Sequence, residues 1–191
     1  MNKRTPLALI VAAVALAGCV GYALVKPERV SIVGDYFTVE TPIAWSKIAS
    51  GKTESWTVDG GSLEELVFIA GVDDGDTLFR VAEAEKARTP TFKKGMTTLD
   101  AREFIESSMA ARGWQSLAIR DFRVAPFGSL PGFRAELDYA TRGGLEKTGF
   151  MLGAIHKDRL HLIVYTGARL YFFDKYRNDA EKVAASVVIK S

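Results

Sequence analysis

Three consecutive β-like segments in the second half of the chain constrain its fold most strongly. In the first of them every second side chain is apolar and its neighbours are charged: Phe133, Ala135, Leu137 and Tyr139. This alternation is typical of a strand with one buried face. Gly143-Gly144 then predicts a turn into a strand at 146–155, and the polar residues 157–159 predict a second turn into a strand at 160–166. Since short turns join antiparallel neighbours, the pattern predicts a three-stranded antiparallel meander.

Further strand-like segments precede the meander, at Tyr36–Glu40, 55–58, 66–70, 77–81 and 116–124. The continuous apolar run at 66–70 is typical of a central strand that is covered on both faces. Pro42 cannot donate a ladder hydrogen bond, so residues 41–45 are expected to leave the first strand.

Two segments have helical spacing. The first begins near Thr97 or Thr98, either of which can cap it, and ends at Arg112 before Gly113. The second runs from about Tyr171 to Val187 and carries an apolar stripe made of Phe173, Tyr176, Ala180, Val183 and Val187. The order of strands, helix, strands and helix predicts an α+β fold in which helices cover an antiparallel β-sheet.

Several of these features together resemble the PsbP/Mog-like fold. They are the opening pattern Phe37, Pro42 and Trp45, the helix 99–112, the meander 133–166, and the closing helix with its apolar end Val187-Val188-Ile189. The resemblance implies an α/β/α sandwich from about Tyr36 to Ile189. That group includes a photosystem accessory protein, a nuclear GTPase-binding factor and bacterial envelope lipoproteins. The resemblance therefore implies a binding or assembly protein that catalyses no reaction itself.

The N-terminal residues are typical of an export leader. Lys3 and Arg4 precede an apolar block, which closes with Leu16-Ala17-Gly18-Cys19. These last four residues resemble the lipobox of bacterial lipoproteins. The resemblance implies cleavage between Gly18 and Cys19 and a diacylglyceryl group on the Cys19 thiol. The predicted organisation is a signal peptide at 1–18, a lipidated N-terminus and tether at 19–35, and a single domain at 36–191.

An uncleaved signal anchor is the alternative, because Leu7 to Val25 is a stretch of 19 residues without a charge. Cleavage is favoured by the short core before Cys19, by its content of Ala and Gly, and by the position of the only cysteine. Both interpretations place the domain outside the cytoplasmic membrane. Val20, rather than an aspartate, follows Cys19 and favours the outer over the inner membrane.

The charge balance excludes some classes of partner. The chain has 25 Lys and Arg against 23 Asp and Glu, and removing residues 1–18 deletes only Lys3 and Arg4, which leaves 23 of each sign. Nucleic-acid binding and a polybasic membrane patch both call for a clustered basic excess. We therefore predict no nucleic-acid partner. The expected partners are the membrane, through the N-terminal lipid, and an unknown envelope protein.

Few residues suggest chemistry. His156 and His161 flank the turn 157–159, but two imidazoles fall short of the three or four ligands of a zinc site. The acidic run 73–76 lacks the spacing of a calcium loop. We predict no metal, no cofactor and no catalytic residue. A hydrolase that uses one of the histidines and a carrier of a small ligand or metal are the open alternatives.

One segment suggests a contact with a partner. Leu170-Tyr171-Phe172-Phe173 is strongly apolar, and its four side chains cannot all face the core from one helix. We expect Tyr171 or Phe172 to remain accessible and to contact a partner; packing of both at the start of the helix is the alternative. The resulting hypothesis is a non-enzymatic envelope lipoprotein that binds or assists another envelope component.

Overall fold

Two antiparallel sheets and three helices make up residues 21–190, the range that the computed structural model describes. The predicted leader, its cleavage site at Gly18 and the lipidation site at Cys19 lie outside that range. The elements are β1 (Ala23–Val25), β2 (Arg29–Ser31), β3 (Phe37–Glu40), β4 (Trp45–Ser50), β5 (Thr53–Thr57), β6 (Glu64–Val72), α1 (Glu83–Lys86), α2 (Thr98–Arg112), β7 (Gln115–Phe127), β8 (Leu130–Ala140), β9 (Glu146–His156), β10 (Arg159–Ala168), α3 (Phe172–Ala185) and β11 (Val188–Ile189).

The larger sheet has eight strands in the order β1-β4-β5-β6-β10-β9-β8-β7, and all neighbouring strands are antiparallel. The predicted meander is confirmed as β8-β9-β10, and the apolar run at 66–70 lies in β6, between β5 and β10. A smaller sheet has the order β11-β3-β2.

Each face of the large sheet has its own core. Helix α2 covers one face, where Ala101, Ile105 and Met109 pack with Leu137, Met151 and Leu162. Helix α3 and the small sheet cover the other face, where Phe173, Ala180 and Val183 pack with Phe37, Phe68 and Phe150. The predicted α+β class, an antiparallel sheet between covering helices, is therefore confirmed. No helix among residues 21–190 is long and apolar enough to cross a membrane.

The ends of α2 follow from its sequence. Thr97 is the cap: its side chain accepts a hydrogen bond from the backbone N–H of Asp100, whose carboxylate accepts one from the N–H of Thr97 at 2.8 Å. Gly113 ends the helix with a φ of 101°, which a residue without a side chain adopts at little cost. Of the two candidate caps, the structure uses Thr97 rather than Thr98.

The predicted strand at 77–81 is wrong. Thr77 makes an isolated bridge with Thr91, and the chain then leads into α1. Strand β6 has β5 and β10 on its two edges, so the sheet offers no free edge there. Local β-like composition is not sufficient when no partner strand is available.

Three predicted boundaries also change. Trp45 begins β4 within the segment that was expected to be irregular, and it pairs with Val25 of β1. Residues 23–31 of the predicted tether form β1 and β2, which pair with β4 and β3. The closing helix ends at Ala185 rather than Val187, and β11 pairs with β3. The pairings of β1 with β4 and of β11 with β3 join residues that are about 20 and about 150 positions apart, so local patterns do not reveal them.

Candidate functional site

The predicted partner contacts lie at the corner where β10 passes into α3. Leu170 is 99% exposed and Tyr171 is 59% exposed, while Phe172 is half-buried. The ammonium of Lys175 lies 5.6 Å from the centre of the Tyr171 ring and 5.8 Å from that of Phe172. We call Leu170, Tyr171 and Phe172 the α3 corner. It presents three consecutive large apolar side chains beside one cation.

Hydrogen bonds from the sheet hold the backbone of the α3 corner in place. The single O–H of buried Tyr165 donates a bifurcated hydrogen bond to the carbonyl oxygens of Phe172 at 3.1 Å and Phe173 at 2.9 Å. On its other side, the carboxylate of Asp59 accepts hydrogen bonds from Lys175 Nζ at 2.6 Å and the Tyr176 hydroxyl at 2.8 Å. These two hydrogen bonds hold the pKa of Asp59 below its ordinary value, and the bond from Lys175 has the larger effect.

A buried carboxylate holds the turn that carries Asp59. Glu64 Oε1 accepts hydrogen bonds from the Thr57 hydroxyl at 2.7 Å and from the backbone N–H groups of Val58 at 2.6 Å and Asp59 at 2.7 Å. Its Oε2 is buried and has no hydrogen-bond partner within residues 21–190. Burial raises the pKa of Glu64 despite these donors. The turn 58–63 is therefore anchored between the sheet and α3.

The two histidines line a single cavity of about 350 Å³ at the end of the β9–β10 hairpin. Its lining also includes Tyr36, Arg159 and Lys190, but no serine or cysteine among the described residues. No group of three His, Cys, Asp or Glu side chains in residues 21–190 is arranged to hold a metal ion.

Only His161 is deeply buried. It is 3% exposed, and its Nδ1 accepts a hydrogen bond from the backbone N–H of Gly71 at 3.2 Å. Burial, with smaller contributions from His156 and Arg159, lowers the pKa of His161 to about 4. Because Nδ1 is used as an acceptor, His161 is a neutral imidazole at neutral pH. A base that takes a proton from a substrate needs that acceptor free.

The acidic run 73–76 is used in contacts within the protein. Asp73 accepts a hydrogen bond from Arg159 Nε at 3.1 Å, Asp74 from the backbone N–H of Lys94 at 3.0 Å, and Asp76 pairs with Lys52. These contacts tie the loop to the neighbouring elements.

A cleft of about 390 Å³ on the α2 face of the sheet was not predicted from the sequence. Its floor is formed by β5, β6, β10 and β9, and its walls by the C-terminal end of α2, the turn 61–62 and the segment 139–145. The cleft opens where α2 stops at Gly113, because the sheet extends beyond the end of the helix.

Aromatic and cationic side chains define the walls of this cleft. The Trp114 indole stacks on the Tyr139 ring, with their centres 3.7 Å apart and their planes 5° apart. The Arg112 guanidinium lies 4.4 Å from the centre of the Phe79 ring. Burial raises the pKa of Tyr139 to about 12, so its hydroxyl stays protonated at neutral pH. Lys147 at the floor is only 3% exposed.

Comparison with known proteins is informative at the level of the fold. No protein-family model and no curated protein sequence matches the chain. The structure is similar to cyanobacterial PsbP (CyanoP) from Synechocystis sp. PCC 6803, at 12% sequence identity and a TM-score of 0.50, over 94% of this chain and 99% of that one.

Two further structures are similar at lower TM-scores. The Saccharomyces cerevisiae Ran-binding protein Mog1p has 8% identity and a TM-score of 0.48, over 90% of this chain and 96% of that one. A Bacteroides thetaiotaomicron protein has 10% identity and a TM-score of 0.48, over 87% of this chain. The chain spans half the length of that Bacteroides protein. The likeness to CyanoP shows the fold alone, which is the PsbP/Mog-like α+β fold that the sequence resemblance implied.

Proposed function

We propose that the protein is a non-catalytic binding protein of the bacterial cell envelope, held at a membrane by a lipid on Cys19. In this proposal it contacts another envelope protein through the α3 corner. The observation that carries the proposal is the exposure of two consecutive large apolar residues, Leu170 at 99% and Tyr171 at 59%, next to half-buried Phe172. Isolated exposed apolar side chains are common on protein surfaces, whereas adjacent ones favour an interface.

The chemistry of the α3 corner suits a protein partner. Aromatic side chains are enriched at the centres of protein interfaces, and Tyr and Trp are frequent among the residues that dominate binding. The backbone beneath Phe172 is held by Tyr165, and Lys175 is held by Asp59. A surface that is already ordered loses little conformational freedom when a partner binds, so more of the contact energy appears as affinity.

Features of the sequence support the lipid anchor. The stretch before Cys19 has the length and composition of a signal core, and the mature chain lacks the basic excess that electrostatic membrane binding needs. Two acyl chains on one cysteine are sufficient for stable anchoring, at about 0.8 kcal/mol per buried methylene group. We further propose the outer membrane as the destination, because Val20 follows Cys19.

A role without catalysis is supported by the surroundings of His161. Its Nδ1 accepts a hydrogen bond from Gly71, and no serine or cysteine of residues 21–190 lines the cavity that it shares with His156. The hydrolase alternative requires one of these two histidines to activate a nucleophile.

Photocrosslinking in the producing cell tests the contact. A photoreactive amino acid at position 171 should give a discrete adduct with an envelope protein, and the same amino acid at position 99 should not. Leu99 on α2 is a matched control, because its exposure of 56% is close to that of Tyr171. Leu170→Asp should abolish the adduct from position 171. Equal adducts from both positions, or an adduct that persists in Leu170→Asp, would refute the proposed contact.

A further inference from the structure

The cleft on the α2 face lies apart from the α3 corner and is lined by different kinds of side chain. It therefore supports a separate proposal. Its side chains include three cations, Arg112, Arg142 and Lys147, and one carboxylate, Glu65. Its volume of about 390 Å³ falls within the roughly 300–1,000 Å³ of small-molecule sites. The excess of positive charge favours an anionic occupant.

Lys147 is the most informative of these cations. Although it is 3% exposed, the hydrogen bond of its ammonium is to the carbonyl oxygen of Gly61, at 3.3 Å. No carboxylate of residues 21–190 lies within 4.0 Å of its Nζ. An ammonium carries three N–H donors, so two of them have no acceptor within the described part of the chain.

The burial of Lys147 works against its charged form. Burial lowers its pKa and outweighs the attraction of Glu65 and Glu64. A buried ammonium without an ion pair is unfavourable for the fold, and an anion bound in the cleft would relieve that cost.

The rest of the cleft is suited to an apolar or aromatic body. Val67 of β6, Met109 of α2 and Val164 of β10 lie along the lining, and Val67 is only partly buried although its strand is central in the sheet. Trp114, half-buried and stacked on Tyr139, forms one wall. An occupant with an acid group at Lys147 would therefore place its body against these side chains.

We propose that this cleft binds an amphipathic anion, a molecule with an apolar or aromatic body and one carboxylate or phosphate group that accepts hydrogen bonds from Lys147. Arg112 and Arg142 at the rim add to the attraction for the anion. Ser55 on the floor and Glu65, which lies near enough to attract the Lys147 ammonium, add polar groups to the lining. The site lies on the α2 face, so it does not depend on the contact proposed for the α3 corner.

Tryptophan fluorescence tests this proposal directly. Trp45 and Trp56 are buried in the core on the α3 face, whereas Trp114 lines the cleft. The full-length protein in phosphatidylcholine nanodiscs is titrated with 8-bromooctanoate, whose terminal bromine quenches an indole on contact. Saturable quenching is expected, and it should disappear in Trp114→Phe. Quenching that persists in that variant would place the probe elsewhere and overturn the proposal.

The acid group and Lys147 are tested in parallel. The neutral probe 8-bromo-1-octanol should bind at least tenfold more weakly than 8-bromooctanoate, and Lys147→Met should weaken binding of the acid at least tenfold. Lys182→Met, at an exposed position on α3, is the matched control and should bind as the wild type does. Comparison with 8-bromooctyl phosphate distinguishes a carboxylate from a phosphate occupant.

A second variant keeps the test decisive if Lys147→Met does not fold. Ser55→Asp adds a carboxylate to the floor of the cleft while Lys147 stays in place, and it should also weaken binding of the acid at least tenfold. Equal affinities for the acid and the alcohol, or an unchanged affinity in the folded variants, would overturn the proposal.

Discussion

Acidification should weaken the fold through His161. This side chain is 3% exposed, and the hydrogen bond that its Nδ1 accepts from Gly71 requires the neutral imidazole. Burial is the main reason that its pKa falls from the ordinary 6.5 to about 4, and the nearby His156 and Arg159 act in the same direction. The unfolded chain therefore binds a proton at this position at a higher pH than the folded chain does.

The sign and size of the effect follow from proton linkage. Where the unfolded state binds more protons, stability rises with pH, so the fold loses stability as the pH falls below 6.5. At pH 5 the two pKa values correspond to a loss of about 2 kcal/mol, and below pH 4 the loss levels off at about 3 kcal/mol. A loss of this size is a large part of a typical domain stability of about 5–15 kcal/mol.

The assay is urea unfolding of the full-length protein at pH 7 and pH 5, with a His161→Asn variant beside the wild type. The asparagine carbonyl can accept from Gly71 and does not titrate, so the variant should lose about 2 kcal/mol less than the wild type over this interval. His156→Asn removes the other histidine of the same cavity and should keep most of the dependence of the wild type, because burial rather than His156 is the main cause of the lowered pKa of His161. Equal losses in the wild type and His161→Asn would refute the reasoning.

Three further predictions use urea unfolding followed by tryptophan fluorescence at pH 7. Thr97→Ala removes the cap of α2 and should lower the free energy of unfolding by about 1 kcal/mol, whereas Thr98→Ala should cost less than about 0.5 kcal/mol; equal costs would contradict the assignment of the cap. Tyr165→Phe removes both hydrogen bonds beneath the α3 corner and should cost about 1 kcal/mol, while Tyr171→Phe at the exposed position should cost nothing measurable. Lys147→Met removes a buried unpaired charge and should leave the free energy of unfolding unchanged or raise it by about 1 kcal/mol; a decrease of more than about 2 kcal/mol would show that the ammonium stabilises the fold.

The parts of the fold that local patterns predicted are those with strong periodicity. The alternation in 133–139 and the turns that follow it fix the register of β8, β9 and β10, because a shift by one residue would move every apolar side chain to the other face. The caps of α2 are equally local. The accessibility of the α3 corner was also predictable, because four consecutive apolar residues exceed what one face of a helix can bury.

Most of the parts that were missed depend on residues far apart in the chain, although β2 pairs with the neighbouring strand β3. β1 and β2 were expected to be a tether, since Ala23–Val25 continues the apolar leader and nothing local indicates its pairing with β4. Lys147 lies in an otherwise typical strand next to a turn, where a lysine is expected to face solvent. It is buried because the end of α2 and the turn at Gly61 both lie over this part of the sheet. No local sequence pattern predicts that arrangement.

The measurement that tests the central proposal most directly is the intact mass of the protein extracted from host membranes, compared with a Cys19→Ser variant. We expect a mature chain that begins at Cys19 and carries the mass of a diacylglyceryl group, and we expect the variant to lack this lipid. An uncleaved chain that retains residues 1–18 and has no lipid mass would contradict the lipid anchor and favour a signal anchor.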